Sequence, residues 1–360
     1  MIASSCEDLA KIFFRLNYNV YAVCKYKSLN LEKYCYKILI ADFHEDKKIL
    51  NFINLIKNND DLEFLIGSGF SESLEKELPL NPKLNKGNSI HLHKKIKSKK
   101  FFSDLKKNKI CIPPWTLKRN VSKDYVIKDF KSFGGNMIKK YETKIKLNKS
   151  QYFQKLIKGE HISVQFLSKN LEIEILSICK QLFRKNHRYP FIIESIVSKK
   201  LNRSIINKLY KICLKISHLY NLNGINNLDL VWEFKTKKFF VIELNARPGL
   251  STHIIYSTHK EIFKESFEIS SYKNSIFFFG THIIYSNKKI TLDKKKYNYI
   301  KNLEFNNNFS ELPHENDVIQ ENEPICLVHC KSKKFKILRD KLKKISYKLI
   351  RNLELPDGEI

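Results

Sequence analysis

Residues 224–253 read GINNLDLVWEFKTKKFFVIELNARPGLSTH, and this stretch decides the fold. Two apolar runs, Leu228–Phe234 and Phe239–Leu244, flank a Lys/Thr turn, the pattern of adjacent antiparallel strands. Each strand carries one acid, Asp229 on the first and Glu243 on the second. The second strand runs directly into Asn245, Arg247 and Pro248. Glu243 lies inside the run FFVIELN, and a carboxylate drawn into apolar surroundings needs a partner. Two carboxylates and an amide oxygen at a strand end form the hard-oxygen set that Mg2+ takes when it also holds phosphate oxygens. Arg247 adds a fixed cation that can fork onto a phosphoryl oxygen.

At 360 residues the chain has room for two or three domains, and 42% hydrophobic residues support real cores. The net charge is +29, yet only eight of the 66 basic residues are arginine. Lysine and asparagine are abundant throughout, so the charge reads as a bias of the whole chain. Nucleic acid as a partner would call for a local basic stripe with aromatic or arginine readers. The sequence lacks one; His91–Lys107, its densest basic run, reads as a solvated helix face. The charge suits attraction of small anions instead. Eight cysteines form no CxxC pair and no zinc spacing, and most lie in apolar runs as buried free thiols do. With no signal peptide and no apolar run of about 18 residues, a reduced cytoplasmic setting without membrane contact is expected.

Residues 1–80 alternate helical and strand patterns: a helix at Cys6–Leu16, strands at Val20–Val23, Lys37–Ile40 and Glu63–Ile66, and a helix at Lys48–Lys57. This alternation predicts a small parallel sheet, with ligands at the carboxyl ends of its strands, where Gly67-Ser68-Gly69 lies. Only Met1–Ser5 is left to supply a first strand. Lys97–Asn108 reads as a helix ending in a proline-rich turn. Tyr125–Tyr141 holds two strands around Ser132-Phe133-Gly134-Gly135, with Lys128 in the first. Such a turn can offer backbone N–H groups to phosphates, or be a plain hairpin turn. Strands follow at Glu172–Cys179 and Phe191–Ser198. Ser204–Tyr220 has the i, i+3/i+4 stripe of a packed helix, closed by Asn223-Gly224. A helix over Thr258–Ser270, a strand at Ser275–Tyr285, a strand- and turn-rich region over 286–325, a strand from Ile325 and a basic helix at Ser332–Asn352 complete the chain.

A helix, a glycine, a strand with Asp and a strand with Val-Ile-Glu-Leu-Asn-Ala-Arg-Pro follow a Gly-Gly hairpin by about 94 residues (229 − 135). This order resembles the ATP-grasp superfamily, whose usual Asn-Pro-Arg has Ala246 at its centre here. The resemblance implies a mixed α/β, α+β ATP-grasp fold. A Rossmann-like pre-ATP-grasp domain would occupy 1–108 and the ATP-grasp domain 109–270, with its lid at about 122–157. A β-rich C-terminal region would cover 271–360. It further implies that Asp229, Glu243 and Asn245 hold Mg2+ or Mn2+, and that Arg247 and Lys128 neutralise the transferring phosphoryl group. Lys128, Ser132, Gly134 and Gly135 would line the ATP phosphates, and either Lys97 or Lys99 would reach them. Backbone groups at Lys155–Ile157, with the Gln154 side-chain oxygen, would meet the adenine. His161, which alone reads as a surface histidine on a strand, would meet the ribose.

Gly67-Ser-Gly-Phe, Lys86-Gly-Asn, Ser163-Val-Gln-Phe and Glu323-Pro-Ile-Cys look like the group of predicted ATP-dependent carboligases within that superfamily. That likeness implies an ATP-dependent ligase. It would form an acyl phosphate from a small carboxylate, release ADP and join the acyl group to an amine, in C1-cofactor (pterin- or methylofuran-type) assembly. Homodimers are frequent in the family. Two rival readings are a non-catalytic ATP-binding relative, motivated by the short first strand, and a lysine-rich nucleic-acid-associated protein, motivated by the charge.

Overall fold

The computed structural model describes residues 1–56, 62–74, 78, 81–118, 121–130, 134–135, 138–141, 147–184, 190–258, 272, 274–303 and 308–354. The N-terminal part contains α1 (Glu7–Arg15), β1 (Tyr21–Cys24), α2 (Leu31–Tyr34), β2 (Lys37–Ile40), α3 (Asp46–Ile56), α4 (Phe70–Ser73), a 3-10 turn (Pro82–Leu84), α5 (Ile90–Ile96) and α6 (Lys99–Lys107). β1 and β2 run parallel, and Ile2 bridges both Val23 and Ile66 in parallel. The expected parallel sheet is present. At Ile2 and Ile66, however, it consists of single bridges rather than full strands. α3 turns Ile49, Ile53 and Ile56 inward, the i, i+4, i+7 stripe of an amphipathic helix.

β3 (Trp115–Thr116), β4 (Tyr125–Asp129), β5 (Lys139–Lys140) and β6 (Gln151–Lys155) form an antiparallel sheet in the order β3-β6-β4-β5. Then come β7 (Glu160–Lys169), β8 (Glu172–Phe183), β9 (Ile193–Ser198), α7 (Arg203–Tyr220), β10 (Gly224–Glu233), β11 (Lys238–Asn245) and α8 (Thr252–Thr258). The C-terminal part adds β12 (Phe278–Tyr285), β13 (Ile290–Thr291), α9 (Lys294–Leu303), β14 (Phe309–Ser310), β15 (Val318–Ile319), β16 (Pro324–Ser332) and α10 (Phe335–Glu354). Among the described residues an eight-stranded sheet runs β11-β10-β7-β8-β9-β12-β16-β14, so the C-terminal strands continue the central sheet. No helix of the described residues is long and apolar enough to cross a membrane.

α7 packs against β8 through Leu209, Cys213, Ile216 and Tyr220. Burial of each such side chain contributes about 1.5–3 kcal/mol. The helix starts where the Asn202 side chain accepts the Ile205 N–H at 3.0 Å. Asn221, in the left-handed region at φ 48°, ends it, not the expected Asn223-Gly224. Gly224 opens β10 instead, with φ 66° and its Cα against the Lys86 carbonyl, where no side chain fits.

Two further expectations are corrected. β8 runs on to Phe183, past the expected end at Cys179. The region 286–325 holds α9, whose Lys-rich sequence buries only Ile300 and so carries almost no helical stripe to read. The expected helix at Thr258–Ser270 lies outside the described residues beyond Thr258, and so does Ser132.

Candidate active site

β10 and β11 pair so that Asp229 stands directly opposite Glu243, with a bulge just after Asp229. Like charges facing each other across two strands repel, so this register requires cations. The protein supplies two lysines. Lys97, at the C-terminal cap of α5, forms an ion pair with Glu243, and its Nζ also donates to Asn245 Oδ1 at 3.1 Å. Lys99 opens α6 on the exposed side, so Lys97 is the lysine that turns toward the acids. Lys128, buried on β4, donates to Gln154 Oε1 at 3.3 Å and feels both Glu243 and Asp229.

These neighbours set the two carboxylates apart. Burial raises Asp229 to about 6; Glu243 opposite adds to the rise, and the Ser163 and Asn227 side chains oppose it. Burial also raises Glu243, but Lys97 and Lys128 outweigh it and the net shift is downward. Burial lowers the Lys128 ammonium, with Glu243 pulling it back up. Asp229 accepts from Gln181 Nε2 at 2.8 Å and from Asn227 Nδ2 at 3.1 Å, and Asn245 Nδ2 stands 3.5 Å from its other oxygen. Two opposed carboxylates and the Asn245 amide oxygen fit a hard divalent cation, which would relieve the repulsion that Lys97 now relieves.

Arg247 leaves the end of β11 and turns toward the N-terminal part. Its Nε and Nη2 both donate to Glu72 Oε1 at 2.8 Å. Glu72 is the last acid of the Gly69–Glu72 turn; its other oxygen accepts the Gly69 N–H at 2.8 Å and the Ser71 hydroxyl at 2.7 Å. Burial pushes Glu72 up, yet Arg247 and Lys97 prevail and hold it at about 2. His93 lies one helical turn before Lys97 on the same face. It is buried, its Nε2 has no hydrogen-bond partner, and burial lowers it to about 4.

The expected nucleotide contacts are distributed more widely. His161 on β7 packs edge-on against Phe183 at 4.8 Å and is half-buried, so it is no open surface histidine. Burial lowers it to about 4, with Lys128 adding to the effect. The Lys155 and Leu156 N–H groups donate to the Pro114 and Asp124 carbonyls, and the exposed Lys155 ammonium pairs with Asp124 at 3.3 Å. Ile157 is therefore the amide at this level left for an adenine. The Gln154 oxygen is not free for that role as expected. An ammonium can only donate, so Lys128 fixes the oxygen toward itself and leaves Nε2 buried and unpartnered. Gly134 and Gly135 form the turn, both at positive φ.

Sequence reasoning missed Glu72, His93 and Gln181. Glu72 had a local signal, an acid three residues after Gly69 in a capping pattern. Gln165, fully buried on β7 beside Asn227, was also missed; both its polar atoms lack partners, and a Cβ on Gly249 would fall 2.7 Å from its Nε2.

A family model described as an ATP-grasp domain matches residues 95–251. No curated protein matches the sequence significantly. The L-amino acid ligase from Bacillus licheniformis is similar in structure, with TM-score 0.69 and 14% identity, covering 96% of both chains. The phosphoribosylamine–glycine ligase from Thermotoga maritima has TM-score 0.68 and 13% identity, over 98% of this chain and 96% of that one. The biotin carboxylase domain of 2-oxoglutarate carboxylase from Hydrogenobacter thermophilus, in complex with MgADP, ADP and bicarbonate, has TM-score 0.69 and 11% identity, over 99% and 94%. At such identities the likeness is one of fold. The matched segment, residues 95–251, spans Lys97, Lys128, Asp229, Glu243, Asn245 and Arg247 and is similar to an ATP-grasp domain, and the chain shares the fold of these enzymes.

Proposed function

We propose that the chain is an ATP-dependent carboxylate–amine ligase. It transfers the terminal phosphoryl group of ATP to a substrate carboxylate, releases ADP, and joins the acyl phosphate to an amine with loss of phosphate. The observation that carries this reading is the Asp229/Glu243 register, two facing carboxylates compensated by Lys97, Lys128 and the Asn245 amide. The fold shared with two ligases, and with a carboxylase domain seen with MgADP, supports it.

Asp229, Glu243 and Asn245 are assigned to hold Mg2+ or Mn2+. When bound, the ion supplies charge neutralisation at the phosphate oxygens. Lys97, paired with Glu243, would supply a cation for a phosphate oxygen when the ion takes up that carboxylate. Lys128 stays at the phosphates, and Arg247 meets the transferring group. The Ser132–Gly135 turn is assigned to cover the phosphates, Ile157 and Gln154, through its Nε2 in place of the oxygen held by Lys128, to face the adenine, and His161 to approach the ribose. Phosphoryl transfer asks chiefly for positioning and charge compensation, which these groups provide. We further assign the enzyme to the cytoplasm and to pterin- or furan-type C1-cofactor assembly, acting on small molecules as a homodimer.

The test is ADP release by the full chain with MgATP over a panel of amino acids and pterin or furan acids, each with and without amines. Glu243→Gln is expected to lower substrate-dependent ADP release by at least 10²–10³-fold while the thermal unfolding profile stays in place. A variant that turns over like wild type overturns the metal assignment. A wild type that neither binds MgATP nor releases ADP with any panel member overturns the ligase reading.

A further inference from the structure

Two contacts between charged or titratable groups tie the N-terminal part to the segment that follows β11. One is Glu72 with Arg247. The other joins Asp8, at the start of α1, to His253, at the start of α8. Asp8 Oδ1 lies 3.9 Å from His253 Nδ1 and 3.9 Å from His329 Nε2 on β16. The Asp8 and Glu72 loops are neighbours. Ile2 bridges Ile66 in parallel, and the Ser4 N–H and hydroxyl both donate to the Ser68 carbonyl, at 2.7 and 2.9 Å. Both loops lie at the carboxyl ends of the N-terminal parallel strands, where such sheets bind ligands. Arg247 and His253, six residues apart, are therefore both tied to loops at this end of the N-terminal sheet, Arg247 through Glu72 and His253 through Asp8.

The two imidazoles stack face to face, with centroids 3.8 Å apart and planes at 9°. A metal ion between cofacial rings would sit out of both ring planes, away from the in-plane lone pairs. Both nitrogens of His329 also already meet hydroxyls, Nδ1 at Thr281 (3.1 Å) and Nε2 at Ser310 (2.8 Å). The arrangement thus suits proton handling better than metal binding. His329 is buried and fixed. His253 keeps 27% of its side chain exposed, with Nδ1 turned to Asp8, so Nε2 is the nitrogen left for a substrate.

We propose that His253, oriented by Asp8 and backed by His329, is the proton acceptor for the amine substrate in the second half of the reaction. This rests on the ligase reading above. The ammonium R–NH3+ gives one proton to His253 Nε2. The freed nitrogen lone pair attacks the carbonyl carbon of the acyl phosphate; the C–N bond forms and the C–O bond to phosphate breaks with its electron pair. The second nitrogen proton leaves with the departing phosphate as HPO4(2−), and His253 returns its proton to solvent.

The surrounding groups are consistent with an ionised Asp8. Burial pushes Asp8 up, but His329 and His253 bring it to about 2. Burial lowers His329 to about 3. Glu7 and the neighbouring Glu311 are raised by burial and by nearby carboxylates. Lys11 and Arg15 on α1 and Tyr256 on α8 complete the charged and titratable groups around the pair.

The experiment uses the full chain with MgATP and the acid panel, and reads two products for wild type, His253→Asn and Asp8→Asn. One is the hydroxamate formed with hydroxylamine, whose nitrogen is largely unprotonated at neutral pH and needs no base. The other is the amide formed with the panel amines. The proposal expects hydroxamate within about twofold of wild type, and amide formation lowered roughly 10²–10³-fold. Residual amide formation should then rise about tenfold per pH unit as free amine accumulates. Equal losses in both products mean a structural role and overturn the proposal, as does unchanged amide formation. Stoichiometric zinc retained by wild type and lost in His329→Ala also overturns it. If wild type forms neither product and releases no ADP, the ligase reading fails and takes this proposal with it.

Discussion

Glu72 and Arg247 are both buried, so their ion pair is strongly felt in stability. A carboxyl held at about 2 when folded and near 4.5 when unfolded binds fewer protons in the native state. Its stabilisation is therefore complete above the unfolded value and disappears as pH falls from about 4.5 toward 2. The difference corresponds to about 3 kcal/mol. Glu72→Gln should be less stable by about that amount at pH 7, with the gap narrowing strongly by pH 3, as urea unfolding at the two pH values would measure. A gap of the same size at both would refute the ionic origin. Lys97 and Lys99 looked alike in the sequence because both sit near a helix boundary; only the direction of the α5 cap separates them. Glu243 was readable, because a lone acid in FFVIELN has few ways to be accommodated.

At the scale of elements, the turn between β4 and β5 contains two glycines with different burdens. Gly134 has φ 69° and open space where a Cβ would stand, whereas a Cβ on Gly135, at φ 80°, would collide with the Phe191 carbonyl. Gly134→Ala should lose only about 1 kcal/mol, the strain of a left-handed alanine. Gly135→Ala adds overpacking against backbone and should lose roughly 3 kcal/mol. Urea midpoints of the two variants would decide; equal midpoints would mean that the turn does not dock on residue 191. Helices and strands were readable in proportion to their periodicity. α7 displays five buried positions on one stripe and was plain, whereas α9 buries one residue and was not.

For the whole molecule, buried neutral amides hold the N-terminal part to the central sheet alongside the ion pairs. Asn88 is the densest of them. Its Nδ2, with two hydrogens to share, lies within reach of three acceptors, the Asn223 carbonyl (2.8 Å), Asn226 Oδ1 (2.9 Å) and the Ala246 carbonyl (2.9 Å), and its Oδ1 accepts the Asn223 N–H (2.9 Å). Asn88→Ala would leave those buried groups unpaired and should lose about 3 kcal/mol. That corresponds to a Tm lower by roughly 4 °C for a chain of this size. Since Ala246 adjoins Asn245 and Arg247, MgATP affinity should fall as well, read by the nucleotide-induced rise in Tm. A variant with unchanged Tm would show that this junction is held elsewhere.

The sequence by itself determined the strand pair at 224–245, its two acids and the asparagine–arginine edge. Alternation along a strand and pairing between adjacent segments are local, and local order is written in residue spacing. The tertiary structure alone decided that Arg247 meets Glu72, that Lys97 rather than Lys99 neutralises Glu243, that Lys128 takes the Gln154 oxygen, and that Asp8, His253 and His329 converge. Those contacts join segments far apart in the chain; Glu72 and Arg247 are separated by 175 residues. Except for Lys128 with Gln154, which lies between the paired strands β4 and β6, they depend on how the loops at one end of the N-terminal sheet are packed against the segments around β11, which no periodicity in the sequence records.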